Sequence, residues 1–442
     1  MNEDLWWQKL EQEVIKPGLC TQCGSCVGLS DGSLEFRERK GIPSPVRTEK
    51  RGEVPSVTYE ACPAKYCDYP SLNRFVFGRV PENWLSGVVE KSYVGYSLDP
   101  SIRRNGASGG VITNVLVHLL ETGKIKGAIC LRVKGYKAEP IIARTKEEIV
   151  GCAQSVYSVT PTNIIMSQLE KEEGPFAYVG LPDQVASIRK LQKLGDKRAL
   201  KIEYVLGPYM GTQMYFEAIG SFLRSHGVRS EKEIVSLKYR AGEWPGYLQI
   251  KLKDGRMLRA DKFYYNYLIP FFITSSSLQL VDFTNELTDI SVGDAWHPEY
   301  EKQGQGFSVV LNRSRKGGQV LKEMQVGGLL SLEEISLDKA LEMHGHMLDF
   351  KKRGSFIRNS WKKVGPEYGY KPLDIPSSRR MVERVLQMIF LIAQSKMARW
   401  IVEHLPLSIV RPAFNVMRKK WKSFSKPTKR KGLMEMKFET DK

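Results

Sequence analysis

The sequence contains no apolar run long enough to cross a lipid bilayer. The longest such run, near Val385 to Ala393, is interrupted by Gln387 and is far too short. The N-terminal stretch begins with acidic residues and lacks the apolar segment of a secretory signal. With no export signal, we expect the seven cysteines to lie in a reducing compartment, where metal binding is commoner than disulfide formation. The sequence therefore predicts a cytoplasmic protein.

Signatures of several common functions are also missing. There is no serine hydrolase elbow and no H-E-x-x-H zinc motif, so nothing favours a hydrolase. His344 and His346 form an H-x-H pair without accompanying carboxylates or cysteines, which favours structural or surface histidines. RNA-binding signatures and zinc-finger helices are absent, so we expect no nucleic-acid partner.

Negative charge is in short supply. The chain has 67 Lys and Arg against 49 Asp and Glu, a formal net charge of +18. This excess predicts an anionic partner such as a phosphorylated cofactor or a membrane surface.

The pattern of the chain changes twice. Residues 1–90 lack regular periodicity and are rich in Gly, Pro and Cys, which is typical of a small cysteine module followed by a linker. From Ser92 strand and helix patterns alternate, which predicts an α/β core over residues 91–335 with an at least partly parallel sheet. Within it, residues 235–258 have an antiparallel β pattern. Residues 336–442 are predicted to form a helical, basic extension.

The end of this extension is strongly basic. Residues 379–421 have a helical pattern, and nine basic residues but no acidic one lie between Arg411 and Lys431. A basic segment that also carries Phe414, Trp421 and Phe424 can lie on an anionic membrane surface, peripherally at the inner face of the membrane. The alternative is a solvated basic tail behind a helix that packs on the core. The sequence favours neither.

Cysteines cluster near the N-terminus. Cys20, Cys23 and Cys26 form C-x2-C-x2-C, and Cys62 directly precedes Pro63. Three cysteines at this spacing followed by a distant Cys-Pro favour a 4Fe-4S cluster. The alternative is zinc bound by Cys20, Cys23, Cys62 and Cys67, and Cys67 could also replace Cys62 as the fourth iron ligand. Cys130 and Cys152 are predicted to be core residues.

A small-residue turn lies at the start of the α/β region. Arg103 and Arg104 precede Gly106-Ala107-Ser108-Gly109-Gly110, and a helix with apolar residues at helical spacing follows. Glycines before a helix leave its first N–H groups free to face an anion, so the turn predicts a phosphate site. An ordinary tight turn before a helix explains the same residues equally well.

These segments together resemble the coenzyme F-420 hydrogenase/dehydrogenase beta-subunit family of iron–sulfur flavoproteins, from about Cys20 to about residue 330. The resemblance rests on seven ordered blocks: CTQCGSC, ACPAKYCDYPSLNRFVFG, RRNGASGGVIT, IIARTKEEI, VGLPDQVASIRK, AGEWPG and DFTNELTDISVGDAW. It implies FAD in the α/β core and one cluster, held by Cys20, Cys23, Cys26 and Cys62, that exchanges electrons with the flavin. By motif, the FAD contacts would be Arg104, Asn105, Ala107, Ser108, Gly109 and Gly110, with Gln184, Gly293 and Asp294 as weaker candidates.

One departure from the family pattern concerns a second cluster. Relatives commonly carry its cysteines at positions that in this chain are occupied by Asp183, Met210, Ser277 and Leu280. The resemblance therefore implies that a second cluster is lost here.

The resulting hypothesis is an FAD-dependent reductase fed by ferredoxin or reduced deazaflavin such as coenzyme F-420, acting on a small or lipid-linked substrate. One alternative is a non-catalytic electron-transfer beta subunit of a hydrogenase or dehydrogenase complex. Another is a zinc-stabilised interaction protein without redox function. Tyr209, His297 and Glu299 lie near matched motifs, but nothing in the sequence singles out one of them as a proton donor.

Overall fold

The computed structural model of the chain describes residues 4–39, 42–49, 52–261 and 265–440. Within these ranges fifteen strands are present: β1 Leu34–Arg39, β2 Ile42–Arg47, β3 Lys91–Ser97, β4 Gly127–Lys134, β5 Lys137–Ala143, β6 Phe176–Val179, β7 Ile202–Pro208, β8 Ile234–Ala241, β9 Tyr247–Leu252, β10 Met257–Asp261, β11 Ile290–Asp294, β12 Ser308–Asn312, β13 Leu330–Ile335, β14 Tyr370–Pro372 and β15 Phe438–Thr440.

The α-helices of the described residues are mostly short before the C-terminal region. They are Leu5–Lys9, Ser25–Gly28, Ser56–Glu60, Tyr69–Phe77, Pro100–Asn105, Val111–Glu121, Lys146–Gly151, Met166–Leu169, Pro182–Lys193, Glu217–Arg224, Ile269–Phe272, Ser275–Gln279, Pro298–Glu301, Arg315–Val326, Leu337–Glu342, Gly345–Lys352, Gly354–Ser360, Ser377–Ala393, Lys396–His404 and Leu407–Arg430. A π-helical segment, Leu10–Ile15, continues the first helix, and 3-10 turns occur at Thr162–Ile165, Ala199–Lys201, Glu231–Glu233 and Asn266–Leu268.

An eight-stranded sheet organises the molecule, with the strand order β13-β3-β12-β11-β7-β6-β4-β5. The four strands β11, β7, β6 and β4 pair in parallel, and the outer strands on both sides pair antiparallel. Helices connect the parallel strands, because parallel neighbours require a crossover connection. The α/β class and the partly parallel sheet predicted from the sequence are confirmed. The antiparallel section predicted over residues 235–258 is the sheet β10-β9-β8.

The N-terminal region has a small core of its own. Leu10, Leu34 and Val54 form it with two tryptophans around them. The carboxylate of Asp4 ties the region together, since it accepts hydrogen bonds from Arg47 at 2.7 Å and from the Val54 N–H at 2.8 Å. The segment between this region and residue 90 is predicted from the sequence to be a linker, but it packs on the main core. Tyr69, Leu72 and Trp84 are buried there beneath the main sheet.

The C-terminal extension packs on the rest of the molecule. Its predicted helical segment is divided into three helices, because Ser395 caps the second helix through the Ala398 N–H and Pro406 precedes the third. β15 then returns to pair with β14. No single helix of the described residues is long and apolar enough to span a membrane. Ser377–Ala393 and Lys396–His404, which meet at 73°, reach that length and composition only as a bent pair.

Buried ion pairs hold the extension in place. Asp349 accepts hydrogen bonds from Arg353 and, at 2.7 Å, from Arg379, and all three side chains are fully buried. Glu383 pairs with Arg379 at 2.7 Å and with Arg358. Since each charge has a partner of opposite sign, the helices around them are fixed in one arrangement.

Candidate functional site

A cavity of about 660 Å³ lies where parallel strands of the main sheet end. Its wall includes the residues that follow β6, those that follow β7 and the last residues of β11. Crevices at the carboxyl ends of parallel strands are the usual ligand sites of open α/β sheets. The position and size of the cavity therefore identify it as the candidate site.

Most of the residues assigned to FAD by motif lie together here. Those that line the cavity are Ala107, Ser108, Gly110, Gln184, Gly293 and Asp294. Gly109 lies behind them, where its N–H donates to the Ser308 hydroxyl at 2.9 Å. Arg104 and Asn105 line a smaller neighbouring cavity of about 440 Å³, and Gln154 belongs to both walls.

The glycine turn leads directly into the Val111–Glu121 helix. Gly110 has a φ of +75°, and a Cβ there would lie 2.8 Å from the Ile102 carbonyl oxygen, so this position requires glycine. The first helical residues, Val111, Ile112 and Thr113, line the cavity. A helix N-terminus that faces a cavity can bind an anion through its free N–H groups. Arg103, in contrast, stacks on the Tyr96 ring at 3.6 Å and donates to the Gly306 carbonyl oxygen.

Arg240 is a cavity residue that no sequence motif predicts. It is buried, pairs with the Asp294 carboxylate at 3.3 Å and donates to the carbonyl oxygen of Ala107. Trp244 also donates to Asp294, at 3.0 Å. These contacts join the glycine turn to the end of β11, so Asp294 orients Arg240 as well as lining the cavity. The only signal in the sequence is that Arg240 directly precedes the matched block AGEWPG.

Two histidines and a tyrosine form another part of the wall. His344 is buried, and its Nε2 lies 2.6 Å from the Asp294 carbonyl oxygen. His346 lines the cavity with a buried Nδ1 that has no hydrogen-bond partner. Burial, together with Lys429, His344, Lys426 and Lys422, lowers the pKa of His346 to about 3. Both histidines therefore belong to the cavity wall, in addition to the structural contact that His344 makes.

Tyr209 also lines the cavity, with a buried hydroxyl that has no partner. Its ring packs against His344, with the ring centres 5.3 Å apart. Of the three proton-donor candidates named from the sequence, Tyr209 is the one in this wall. His297 and Glu299 pair with each other at 3.7 Å outside it.

The four cysteines of the N-terminal module are mutual neighbours. Burial raises the pKa of Cys20, Cys23, Cys26 and Cys62, and for Cys26 the charges of the other three thiols raise it further. Cys67 lies instead in the main core beside Tyr69 and Tyr368. Among the described residues no group of three or more His, Cys, Asp or Glu side chains is arranged to hold a single metal ion. In a cubane cluster each thiolate binds a different iron, so the four cysteines need not surround a single ion.

The cysteine loop is docked on the wall of the cavity. Gly24 has a φ of +99° and packs against the Pro161 carbonyl oxygen, and the Asn163 N–H donates to the Cys23 carbonyl oxygen at 2.9 Å. The Asn163 amide then donates to the Ser25 hydroxyl at 2.8 Å and to the Gln184 carbonyl oxygen at 3.0 Å. One buried asparagine thus connects the cysteine loop to a residue of the cavity wall.

Lys351 occupies the region where the family pattern would place a second cluster. Its fully buried amine donates to the Ser277 carbonyl oxygen at 2.7 Å and lies 3.6 Å from the Met210 sulfur. Burial and the charge of Arg358 lower its pKa to about 7, although Asp183 opposes the shift. The missing cysteines are visible in the sequence, whereas nothing in the sequence indicates the lysine beside them.

Comparison with known proteins places the chain in a family. Models of the coenzyme F-420 hydrogenase/dehydrogenase beta subunit match residues 92–166 with its N-terminal part and residues 174–338 with its C-terminal part. The chain belongs to this family. The matched segments contain the glycine turn, Gln184, Arg240 and Asp294, which means that the family sequence includes most of the cavity wall.

Individual relatives of the chain carry the names of redox proteins. The chain is 26% identical over 360 residues to the coenzyme F-420-dependent sulfite reductase of Methanocaldococcus jannaschii. The matched region covers 77% of this chain but only 52% of that protein. The chain is 24% identical to the coenzyme F-420 hydrogenase subunit beta of Methanothermobacter thermautotrophicus, over 54% of the chain and 82% of that subunit. The chain thus spans about half the length of the sulfite reductase.

A solved structure has the same fold. A chain of the F-420-reducing nickel–iron hydrogenase complex from Methanosarcina barkeri superposes with a TM-score of 0.51 and 18% identity, over 65% of this chain and 98% of that one.

Proposed function

We propose that this chain is an iron–sulfur flavoprotein oxidoreductase that passes electrons between one 4Fe-4S cluster and FAD. The observation that carries the proposal is the contact of the cysteine loop with the cavity wall through Asn163. In this proposal residues 1–90 hold the cluster, residues 91–335 hold the flavin, and residues 336–442 complete the cavity.

The donor set suits a cluster of this kind. Cys20, Cys23 and Cys62 lie close enough to Cys26 for their charges to raise its pKa, whereas Cys67 packs in the main core, which supports Cys62 as the fourth ligand. Lys190 donates to the Cys62 carbonyl oxygen and holds this backbone against the Pro182–Lys193 helix. A bound cluster and flavin together would couple one-electron transfer to two-electron hydride chemistry.

The cavity suits a flavin nucleotide. The N-terminus of the Val111–Glu121 helix would receive the phosphates, and Arg240, held by Asp294, adds positive charge nearby. The side chain of Gln184 is engaged within the protein, since it accepts from the Leu181 N–H and donates to the Thr160 carbonyl oxygen. Gln184 would therefore shape the wall rather than bind the flavin through its amide.

The electron path would run without a second cluster. Asp183, Met210 and Ser277 surround Lys351, and these side chains supply no thiolate to hold a cubane cluster. Coenzyme F-420 or a ferredoxin would exchange electrons at the cavity or at the cluster. The relatives named above are F-420-linked proteins, which supports F-420 as the first partner to test.

Anaerobic purification followed by absorption spectroscopy and iron, sulfide and flavin analysis tests this proposal. We expect flavin bands, a broad shoulder near 400 nm and about four irons per chain. Cys62→Ser should lose the iron, whereas Cys67→Ser is the matched control and should keep it. A colourless, zinc-loaded protein would overturn the proposal in favour of the interaction protein.

A further experiment separates an enzyme from a non-catalytic subunit. The purified chain is mixed anaerobically with reduced coenzyme F-420, and flavin bleaching is followed by stopped flow. Bleaching by F-420 alone supports an enzyme with its own substrate pocket. Flavin that is reduced only within a larger complex would support the beta-subunit alternative.

We also propose that the C-terminal helices lie on the cytoplasmic face of an anionic membrane. More than half of the exposed large apolar side chains among the described residues lie between residues 381 and 424: Met381, Val385, Met388, Ile389, Leu391, Ile392, Met397, Trp400, Ile401, Leu405, Ile409, Val416, Met417 and Phe424. Exposed cations, including Arg384, Lys396 and Lys420, accompany them. Apolar and cationic side chains together favour anionic phospholipids over a protein partner.

Vesicle flotation tests the membrane proposal. The chain should float with phosphatidylglycerol vesicles and not with phosphatidylcholine vesicles, and Ile392→Glu with Met397→Glu should abolish flotation. Val326→Glu alters an exposed apolar residue elsewhere and should have no effect. Equal flotation of all three proteins, or dimerisation lost in the double variant, would contradict a membrane role for this surface.

A further inference from the structure

Two cysteines outside the N-terminal module lie together in the wall of the cavity. Cys130 belongs to β4, and Cys152 is the cap residue at the end of the Lys146–Gly151 helix. Both line the 660 Å³ cavity, whose wall also includes Val111 and Ile112 of the helix that follows the glycine turn. Both are free thiols. The cluster and flavin contacts proposed above use neither of them.

The two thiols are direct neighbours. A hydrogen bond between them, together with burial, raises the pKa of Cys130, and the same hydrogen bond lowers the pKa of Cys152. Their side chains also pack in one apolar cluster, which includes Leu116 and Ile149. A disulfide forms only where the fold brings two sulfurs together. The hydrogen bond and the shared cluster mean that this fold does so.

The two thiols differ in exposure. Cys130 is buried, with 5% of its surface exposed, whereas Cys152 is partly exposed. The positive charge of Arg132 lowers the pKa of Cys152 further, while burial and Glu148 oppose this shift. The thiolate is the nucleophile in disulfide exchange, and it must be accessible to its target. Cys152 is therefore the thiol that an external disulfide reaches first.

The backbone around Cys152 is connected to the glycine turn. The Asn105 amide donates to the Val150 carbonyl oxygen at 3.1 Å. The Cys152 N–H donates to the carbonyl oxygens of Glu148 and Ile149, each at 3.1 Å, and so belongs to the last turn of its helix. A covalent bond from Cys152 to β4 would fix this end of the helix, and with it one part of the cavity wall.

We propose that Cys130 and Cys152 form a reversible dithiol–disulfide pair that reacts with low-molecular-weight disulfides such as glutathione disulfide. The Cys152 thiolate attacks one sulfur of the external disulfide, which forms a mixed disulfide and releases one thiol. Cys130 then loses its proton and attacks the Cys152 sulfur, which releases the second thiol. The two cysteines lose two electrons and two protons in total, and the external disulfide gains them and becomes two thiols. This chemistry requires neither the cluster nor the flavin.

Peptide mapping by mass spectrometry tests whether the pair forms. The full chain is incubated anaerobically with glutathione disulfide, alkylated and digested with trypsin, which places Cys130 in residues 127–132 and Cys152 in residues 147–171. We expect these two peptides to become cross-linked, and dithiothreitol to separate them again. Cys67, which is also buried, is the internal control and should react at least tenfold more slowly. Absence of the cross-link, or oxidation of Cys67 at the same rate, would overturn the proposal.

Single variants test the order of the two steps. In Cys130→Ser, Cys152 should stop at the mixed disulfide and keep one glutathione. In Cys152→Ser, Cys130 should remain a free thiol because it is buried. Cys67→Ser is the matched control and should give the cross-link of the wild type. Glutathione on Cys130 in Cys152→Ser, with none on Cys152 in Cys130→Ser, would overturn the assignment of Cys152 as the attacking thiol. If either variant does not fold, the peptide map of the wild type still decides whether the pair forms.

Discussion

Lys351 is a residue whose charge depends on its surroundings. An unfolded lysine holds its proton up to about pH 10.4, whereas burial and Arg358 lower the pKa of Lys351 to about 7 in the folded chain. Between these values the unfolded state binds more protons, so the free energy of unfolding should rise with pH. This gain in the free energy of unfolding is lost as the pH falls towards 7.

Urea denaturation of Lys351→Met at pH 7 and pH 9 measures this effect. From pH 7 to pH 9 the free energy of unfolding of the wild type should rise by about 2 kcal/mol relative to that of the variant. The exposed lysine variant Lys197→Met serves as the control and should follow wild type. Parallel pH profiles for wild type and Lys351→Met would show that the amine is not destabilised by burial.

Gly110 is constrained by both its backbone and its surroundings. Gly123 has a similar φ, +69° against +75°, but a Cβ at Gly123 would meet no atom within 4 Å, whereas at Gly110 it would meet the Ile102 carbonyl oxygen. Gly123→Ala should therefore lower the free energy of unfolding by about 1 kcal/mol, from backbone strain alone. Gly110→Ala should cost more and should reduce the flavin content of the purified protein. Equal losses of stability in thermal denaturation would mean that the turn relaxes around the added methyl group.

Among the elements, the Leu407–Arg430 helix depends on a buried arginine for its position. Arg353→Gln would leave Asp349 with one fewer partner and free the carbonyl oxygens of Lys429 and Lys431. Because breaking a buried pair leaves an uncompensated charge, we expect a loss of about 3 kcal/mol in the free energy of unfolding.

Hydrogen exchange followed by mass spectrometry locates that loss. Exchange should accelerate over residues 407–440 in Arg353→Gln and not in the exposed-site control Arg384→Gln. Acceleration spread evenly over the whole chain would indicate instead that Arg353 supports the entire fold.

On the scale of the whole molecule, the net charge of +18 favours the approach of acidic molecules. An acidic ferredoxin would be attracted over roughly one Debye length, about 10 Å at 0.1 M salt. We therefore expect the rate of flavin reduction by reduced ferredoxin to fall at least tenfold between 20 mM and 500 mM salt. Stopped-flow measurement with an uncharged chemical reductant provides the control and should show little salt dependence. A salt-independent ferredoxin rate would contradict electrostatic steering.

Several features of this protein were predictable from local sequence alone. The alternation from β3 to the Val111–Glu121 helix and β4 follows from hydrophobic periodicity, and Gly110 marks the start of that helix. The spacing of Cys20, Cys23 and Cys26 indicates a common site because three residues so close in sequence share one loop. Backbone preference and side-chain periodicity act over short stretches, so a single sequence contains this information.

Tertiary structure alone decided which distant residues meet in the cavity. Arg240, His344 and Lys426 reach one wall from a strand, a loop and a terminal helix that are far apart in the chain. The basic segment is equally compatible with a solvated tail, a membrane surface or a cavity wall until its packing against Gly345–Lys352 is known. That packing depends on the buried pairs of Asp349 and Glu383 with three arginines. Long-range contacts of this kind leave no periodic pattern in the sequence, because they depend on how complete elements pack against one another.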